Sequence, residues 1–192
     1  MWDLKVLKIA GVALIGCLFA SQASAATAFG SKLGHEPTPP ERCRPDNASK
    51  LCTWILTIGH QNVGKERAPK NGTVAKLRLR SCTPGTFILQ IARANTATEQ
   101  GKVIRTGPLI NYKGNPSNCN GGAVIETFNV NVPVRTGDSL AIVANRVGFI
   151  YNASGDGTLL FDPPLPDGGA FRNATTENTG SGILLLQALY ND

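Results

Sequence analysis

An all-β fold of short antiparallel strands, a sandwich or a barrel, is what this sequence predicts, and two observations predict it. From Leu51 onward, runs rich in Val, Ile, Thr and aromatic residues are separated by Gly, Pro, Asn and Asp, the pattern of many short strands. No window after residue 30 places apolar residues at i, i+3, i+4 and i+7 without a Gly or Pro break, so no amphipathic helix is expected.

The first 25 residues read as a signal peptide. Lys5 and Lys8 form a positive start, Ile9 to Ala20 is uncharged and apolar, and Ala23-Ser24-Ala25 is a small-residue cleavage site. The apolar run falls well short of the roughly 20 residues that a membrane-spanning helix needs. Leu14-Ile15-Gly16-Cys17 resembles a lipobox, but the residues after Cys17 stay apolar (Leu18, Phe19, Ala20) where a lipoprotein usually turns polar. The expectation is cleavage after Ala25 and a secreted or periplasmic product, with a lipid anchor through Cys17 as the alternative.

Residues 26–50 are polar and Pro-bearing with no period of 2 or 3.6, and read as an irregular arm or linker. Residues 51–192 are then one β domain. Cys43, Cys52, Cys82 and Cys119 form an even set in an exported chain, which reads as two disulfides. Of the three connectivities, Cys43–Cys52 and Cys82–Cys119 are preferred. The first closes the polar loop CRPDNASKLC; the second ties the end of KLRLRSC to NPSNCNGG. A zinc site is not expected, because no C-x-x-C occurs and His35 and His60 stand at no ligand spacing from the cysteines.

The strands follow in order as TWILTIGH, TVAKLRLRSC, GTFILQIARA, KVIRTG, AVIETFNVNVPV, DSLAIVAN, GFIYN, GTLLFD and ILLLQALY. Pro84-Gly85 in SCTPGT is expected to close a hairpin, with Gly supplying a positive φ, and VRTGDSL to do the same work before the next strand. Alternation places Ala75, Leu77 and Leu79 on one face and Lys76, Arg78 and Arg80 on the other. In 124–132 the even positions Val124, Phe128, Val130 and Val132, apart from Glu126, are expected to face the core. ILLLQALY is apolar on both faces for four residues and predicts a central strand, since an exposed one would invite pairing with other chains.

The order of TVAKLRLRS, GTFILQIARA, VPVRTGDSLAIVAN, FDPPLPDGG and GILLLQALY resembles a group of bacterial exported β-sandwich domains of unknown function. The shared features are a GD turn and an aromatic-x-P-P-L-x-D-G segment, over roughly residues 68–192. The resemblance implies a jelly-roll-like sandwich of about eight strands, placed outside the cytoplasm, and implies no reaction. The chain departs from the group in carrying Cys82 and Cys119 and in its basic strand at 76–80.

Several segments could carry a site. Phe161 and Phe171 beside the Pro-rich loop could form an aromatic platform for sugar, although Pro163-Pro164 ending a strand, Asp167-Gly168 making a turn and the loop packing over one end of the sandwich explain it structurally. Lys76, Arg78 and Arg80 are the candidate face for an anionic ligand, against the plainer reading of a solvated, open face. Asn152, Asp156 and Asp162 are oxygen ligands without EF-hand spacing, so no metal site is expected. Asn47, Asn71, Asn152 and Asn173 head N-x-S/T sequons and predict surface turns; Asn115 is followed by Pro.

Catalysis finds little support. No G-x-S-x-G occurs, neither histidine sits in a triad-like context, and among Glu126, Asp138 and Asp156 a facing pair is not legible. The net charge is +6 for the whole chain and +5 without residues 1–25, with no aromatic-interleaved basic motif, so nucleic acid is not an expected partner. The chain reads as an exported non-catalytic protein with a structural or interaction role at the cell envelope or outside the cell. A carbohydrate-binding module is the alternative. The partner is then a polysaccharide or another envelope protein, and no cofactor is expected.

Overall fold

The computed structural model describes residues 27–44, 46, 49–57, 65–116, 121–152, 157–175 and 182–191. Among them the regular elements are all strands: β1 (Thr27–Gly30), β2 (Glu41–Arg42), β3 (Cys52–Leu56), β4 (Gly72–Ser81), β5 (Gly85–Asn95), β6 (Gln100–Tyr112), β7 (Val124–Val134), β8 (Ser139–Ala144), β9 (Arg146–Val147), β10 (Ile150–Asn152), β11 (Thr158–Phe161), β12 (Arg172–Asn173), β13 (Gly182–Leu184) and β14 (Leu186–Asn191). These fourteen exceed the expected eight because short ribbons and edge strands are added to a principal set of eight. That set forms two layers, ordered β1-β14-β4-β7 and β3-β8-β5-β6. β11 extends the second layer beyond β3 and β12 extends it beyond β6, while β2–β9 and β10–β13 are two-stranded ribbons. Every strand pair is antiparallel.

The two layers share one core. Val74, Leu77 and Leu79 of β4 and Leu186, Ala188 and Tyr190 of β14 meet Phe87, Leu89 and Ile91 of β5 and Leu140 and Ile142 of β8. The alternation read from the sequence holds for Leu77 and Leu79 but not for Ala75. A bulge between Val74 and Lys76 shifts the register, so Val74 enters the core and Ala75 is only half-buried. In β7, Val132 is buried and Phe128 and Val130 pack on the core, whereas Val124, at the open end of this edge strand, is exposed. The ILLLQALY run is divided: Ile183 and Leu184 belong to β13, which pairs with β10 in a two-stranded ribbon, and from Leu186 onward it forms β14, central between β1 and β4.

Two expected hairpins are crossovers instead. β4 lies in the first layer and β5 in the second, so Cys82–Pro84 carries the chain across the core. Packed sheets stand about 10 Å apart, a gap that three extended residues span. The crossover lets Leu77 and Leu79 face Phe87 and Leu89 rather than lie beside them. Gly85 has no positive φ; a Cβ there would meet the Tyr112 ring, with Cζ at 2.6 Å. Residues 135–138 likewise join β7 of one layer to β8 of the other. There Gly137 does have positive φ (86°), and buried Asp138 accepts from Arg135 N at 2.7 Å and from Arg93 Nε at 2.9 Å.

Two further segments depart from the sequence reading. The polar arm is built into the fold: β1 pairs with β14, β2 pairs with β9, and Phe29, Leu33 and Cys43 are buried. Its apolar residues are too sparse to show a period, yet Phe29, Leu33 and Cys43 join the main core. β6 does not stop at Gly107-Pro108 but continues to Tyr112, because those two residues sit opposite the single Leu89 in a bulge where proline's missing N–H is tolerated.

FDPPLPDGG does not pack over an end of the sandwich. β11 and β12 occupy opposite edges of the second layer, so residues 162–171 form a strap across its outer face. Leu165 is buried there with Ile55, Val103, Leu159 and Phe161 in a second apolar cluster. The strap is pinned where Leu165 N donates to Thr53 Oγ1 (3.0 Å), Gly168 N to Val103 O (3.2 Å), and Thr106 N to Asp167 Oδ2 (3.1 Å).

Candidate functional site

Connections from both layers converge at one end of the sandwich. Gly85 at the start of β5 faces Tyr112 at the end of β6, Ser81 ends β4 opposite Val124, and Cys52 starts β3 opposite Ala144. A cleft of about 310 Å³ opens there. Its floor is Tyr112 (3% exposed), one wall is the Thr83–Thr86 crossover, and the other is Asn145, Arg146 and Gly148, with Arg42 at the rim.

The floor is held from several sides. The Tyr112 ring packs edge-on against Phe149 at 5.3 Å and tilted against Phe87 at 6.0 Å. Its hydroxyl accepts from Gly148 N at 3.1 Å. Ser81 Oγ lies 2.7 Å from Thr83 O and 3.0 Å from Gly148 O, which ties the crossover to the opposite wall. Burial raises the Tyr112 pKa above its ordinary 10.0, countered in part by the Gly148 N–H and the charge of Arg146.

Two arginines frame the mouth. Arg42 on β2 and Arg146 on β9 are directly opposite partners in an antiparallel ribbon, so their side chains leave the same face. Both are exposed. The Cys43–Cys52 disulfide (Cα–Cα 5.5 Å), the Cys43 N to Asn145 O bond (2.9 Å) and the Cys52–Ala144 pairing hold β2 in place beside β9. This disulfide is one of the two preferred from the sequence. Cys82 is also disulfide-bonded, and its expected partner Cys119 lies outside the described residues.

The sequence-derived candidates lie elsewhere. Lys76, Arg78 and Arg80 do point away from the core, on the outer face of the first layer, but of the three only Lys76 is exposed, and Arg78 and Arg80 are half-buried. Arg78 Nη1 donates to Gln187 Oε1 (3.2 Å). Arg80 donates to Leu33 O (3.2 Å) and is ion-paired with Glu36, both in the segment read as a free arm. Phe161 is fully buried, which removes half of the proposed aromatic platform; Phe171 is 45% exposed with Lys102 Nζ 4.8 Å from its ring centroid.

Asp162 is ion-paired with Arg44, Asn152 lies on β10, and Asp156 falls outside the described residues, so the oxygen trio is not assembled among those described. No group of three or more metal-ligating side chains occurs among the described residues. Glu126 accepts from Lys113 N and Gly114 N at 2.8–3.1 Å, near the start of β7, while Asp138 lies past its end. At about 3.3 Å per residue their separation is far beyond the roughly 5–10 Å of a glycosidase pair. His35 stacks on Tyr151 (4.2 Å, 12°), and His60 lies outside the described residues. Asn71 accepts from Thr136 N at 3.0 Å and Asn173 from Gln100 Nε2 at 2.9 Å, both at exposed positions; Asn47 lies outside the described residues.

Arg42, Tyr112 and Arg146 carried no signal in the sequence. Arg42 and Arg146 lie within one ribbon, β2–β9, too short to show strand periodicity, and only the sheet topology brings them to Tyr112. Comparison with protein-family models, curated proteins and solved structures gave no match.

Proposed function

We propose that this chain is an exported, non-catalytic β-sandwich protein that acts by binding at the cell envelope or outside the cell, with the end cleft as its contact site. The observation that carries this reading is the pre-formed cleft. Tyr112, Ser81 and Gly148 are locked together by hydrogen bonds and ring packing, so the cavity exists before any partner arrives. Its lining offers donors and positive charge. Concave, rigid sites with a few converging polar groups are where partners bind, and loops held by a stiff scaffold commonly carry them. We also read the winding as jelly-roll-like, a reading supported by the orders β1-β14-β4-β7 and β3-β8-β5-β6 and by the crossovers at 82–84 and 135–138.

A carbohydrate-binding module is the second reading. It is favoured by the planar polar groups of Arg42, Asn145 and Arg146 beside a Pro-Gly surface, which suit sugar hydroxyls and ring edges. Two measurements test the proposal. In a bacterial host, the full chain should be recovered oxidised from the periplasm or medium. On an array of neutral and acidic envelope and extracellular polysaccharides, it should retain at least one polymer unchanged in length. Retention in the cytosol, or depolymerisation of a bound glycan, would overturn it.

A further inference from the structure

The geometry points to the cleft between Arg42, Arg146 and Tyr112 as a site for an acidic sugar unit, one ring carrying a carboxylate or phosphate. This rests on the proposal that the cleft is the contact site, and adds the charge class of what enters it.

Like charges directly opposite on neighbouring strands destabilise a sheet, and here two guanidiniums stand opposite in a ribbon only two residues long. With Cβ atoms about 5 Å apart on one face of the ribbon, both guanidiniums are within reach of one anion. Among the described residues neither guanidinium has a carboxylate or hydrogen-bond partner to offset the repulsion, and the cleft lining contains no acidic side chain. The fold nevertheless fixes the pair, through the adjoining disulfide and the Cys43 N to Asn145 O bond. A bound anion would turn this cost into two charge-assisted forks, the geometry in which arginine recognises carboxylate and phosphate.

The floor supplies a third donor. The Tyr112 oxygen already accepts from Gly148 N, which leaves its own proton free to point at a ligand. Lys76, Arg78 and Arg80 lack this convergence: two of the three are already engaged within the protein, and they lie on the outer face of a sheet. The volume of about 310 Å³ stands at the small end of ligand sites and suits a single ring rather than an extended segment.

The test uses the exported, oxidised chain and three probes: trigalacturonate, its methyl ester and glucose 6-phosphate. Calorimetric titration should show binding of trigalacturonate or glucose 6-phosphate that weakens with added salt. Esterification, Arg42→Gln or Arg146→Gln should each weaken it by about tenfold or more. Binding of the carboxylate alone or the phosphate alone identifies the source of the anion. Both variants should unfold thermally at or above the wild-type midpoint, because each removes a repulsion; a lowered midpoint would show that the arginines are structural and overturn the inference. Equal binding of the ester, or binding unaffected by both substitutions, would also overturn it. A chain that binds neutral polymers on the array but none of these probes loses the acidic assignment and keeps the proposed contact function. A chain that binds nothing in either assay loses both.

Discussion

Tyr112 joins the fold to the cleft through one atom. Its hydroxyl is the acceptor for the Gly148 N–H, and its ring fills the space that Gly85 leaves open. Replacing Tyr112 with Phe keeps the ring but orphans a buried N–H, which costs about 1–3 kcal/mol. The same group makes stability depend on alkaline pH. Its folded pKa lies above the unfolded value of 10.0, chiefly because burial disfavours the phenolate. A raised folded pKa gives stability that is complete below the unfolded pKa and is lost as pH rises through the folded one. Wild type should therefore lose stability above pH 10 through a contribution that Tyr112→Phe lacks. Urea unfolding of both proteins between pH 7 and 11 should show the gap between them narrowing above pH 10. A constant gap would mean that the phenol does not titrate differently in the folded chain.

At the scale of elements, the strap over the second layer is the segment whose role differs most from its sequence reading. Leu165 is its apolar anchor, and Leu165→Ala should cost about 2–4 kcal/mol, the range for a buried leucine that leaves a cavity. A loss under about 1 kcal/mol in chemical denaturation would mean that the strap merely rests on the sheet. The basic strand splits in the same way. Lys76→Gln should change stability by no more than about 0.5 kcal/mol, whereas Arg80→Gln, which releases Leu33 O and Glu36, should cost about 1 kcal/mol. Equal effects in thermal unfolding would contradict the docking of residues 33–36 on this face. Strands were legible because alternation is local: Leu77 and Leu79 announce their face whatever β4 pairs with. Which sheet each strand joins was not legible. Pro84-Gly85 suits a hairpin as well as a crossover, and only the demand that Leu77 face Phe87 decides between them. The bulge at Val74–Lys76 was hidden for a related reason, since an extra residue in one strand leaves no mark on composition. The cleft was least legible, because Arg42, Tyr112 and Arg146 are brought together by pairings far apart in sequence.

For the molecule as a whole, the ends of the described chain are tied to each other. β1 pairs with β14 from Thr27↔Tyr190 to Gly30↔Gln187, and the rings of Phe29 and Tyr190 meet edge-on at 5.7 Å in the core. Gly30 N also donates to Lys65 O at 2.7 Å. The first layer thus requires the chain from Thr27 onward, and any processing has to leave Thr27 in place. Cleavage after Ala25 does so with a single residue to spare. Retention of Cys17 with a lipid would instead place residues 18–26 between the anchor and β1, a tether of at most about 30 Å. The expected mature protein begins at Ala26. Intact-mass measurement of the exported, unreduced chain should give residues 26–192 with all four cysteines, Cys43, Cys52, Cys82 and Cys119, oxidised in two disulfides. A diacylglycerol-bearing Cys17 would overturn this, and so would a start beyond Thr27, because β1 would lose its pairing with Tyr190 and the first layer its edge strand.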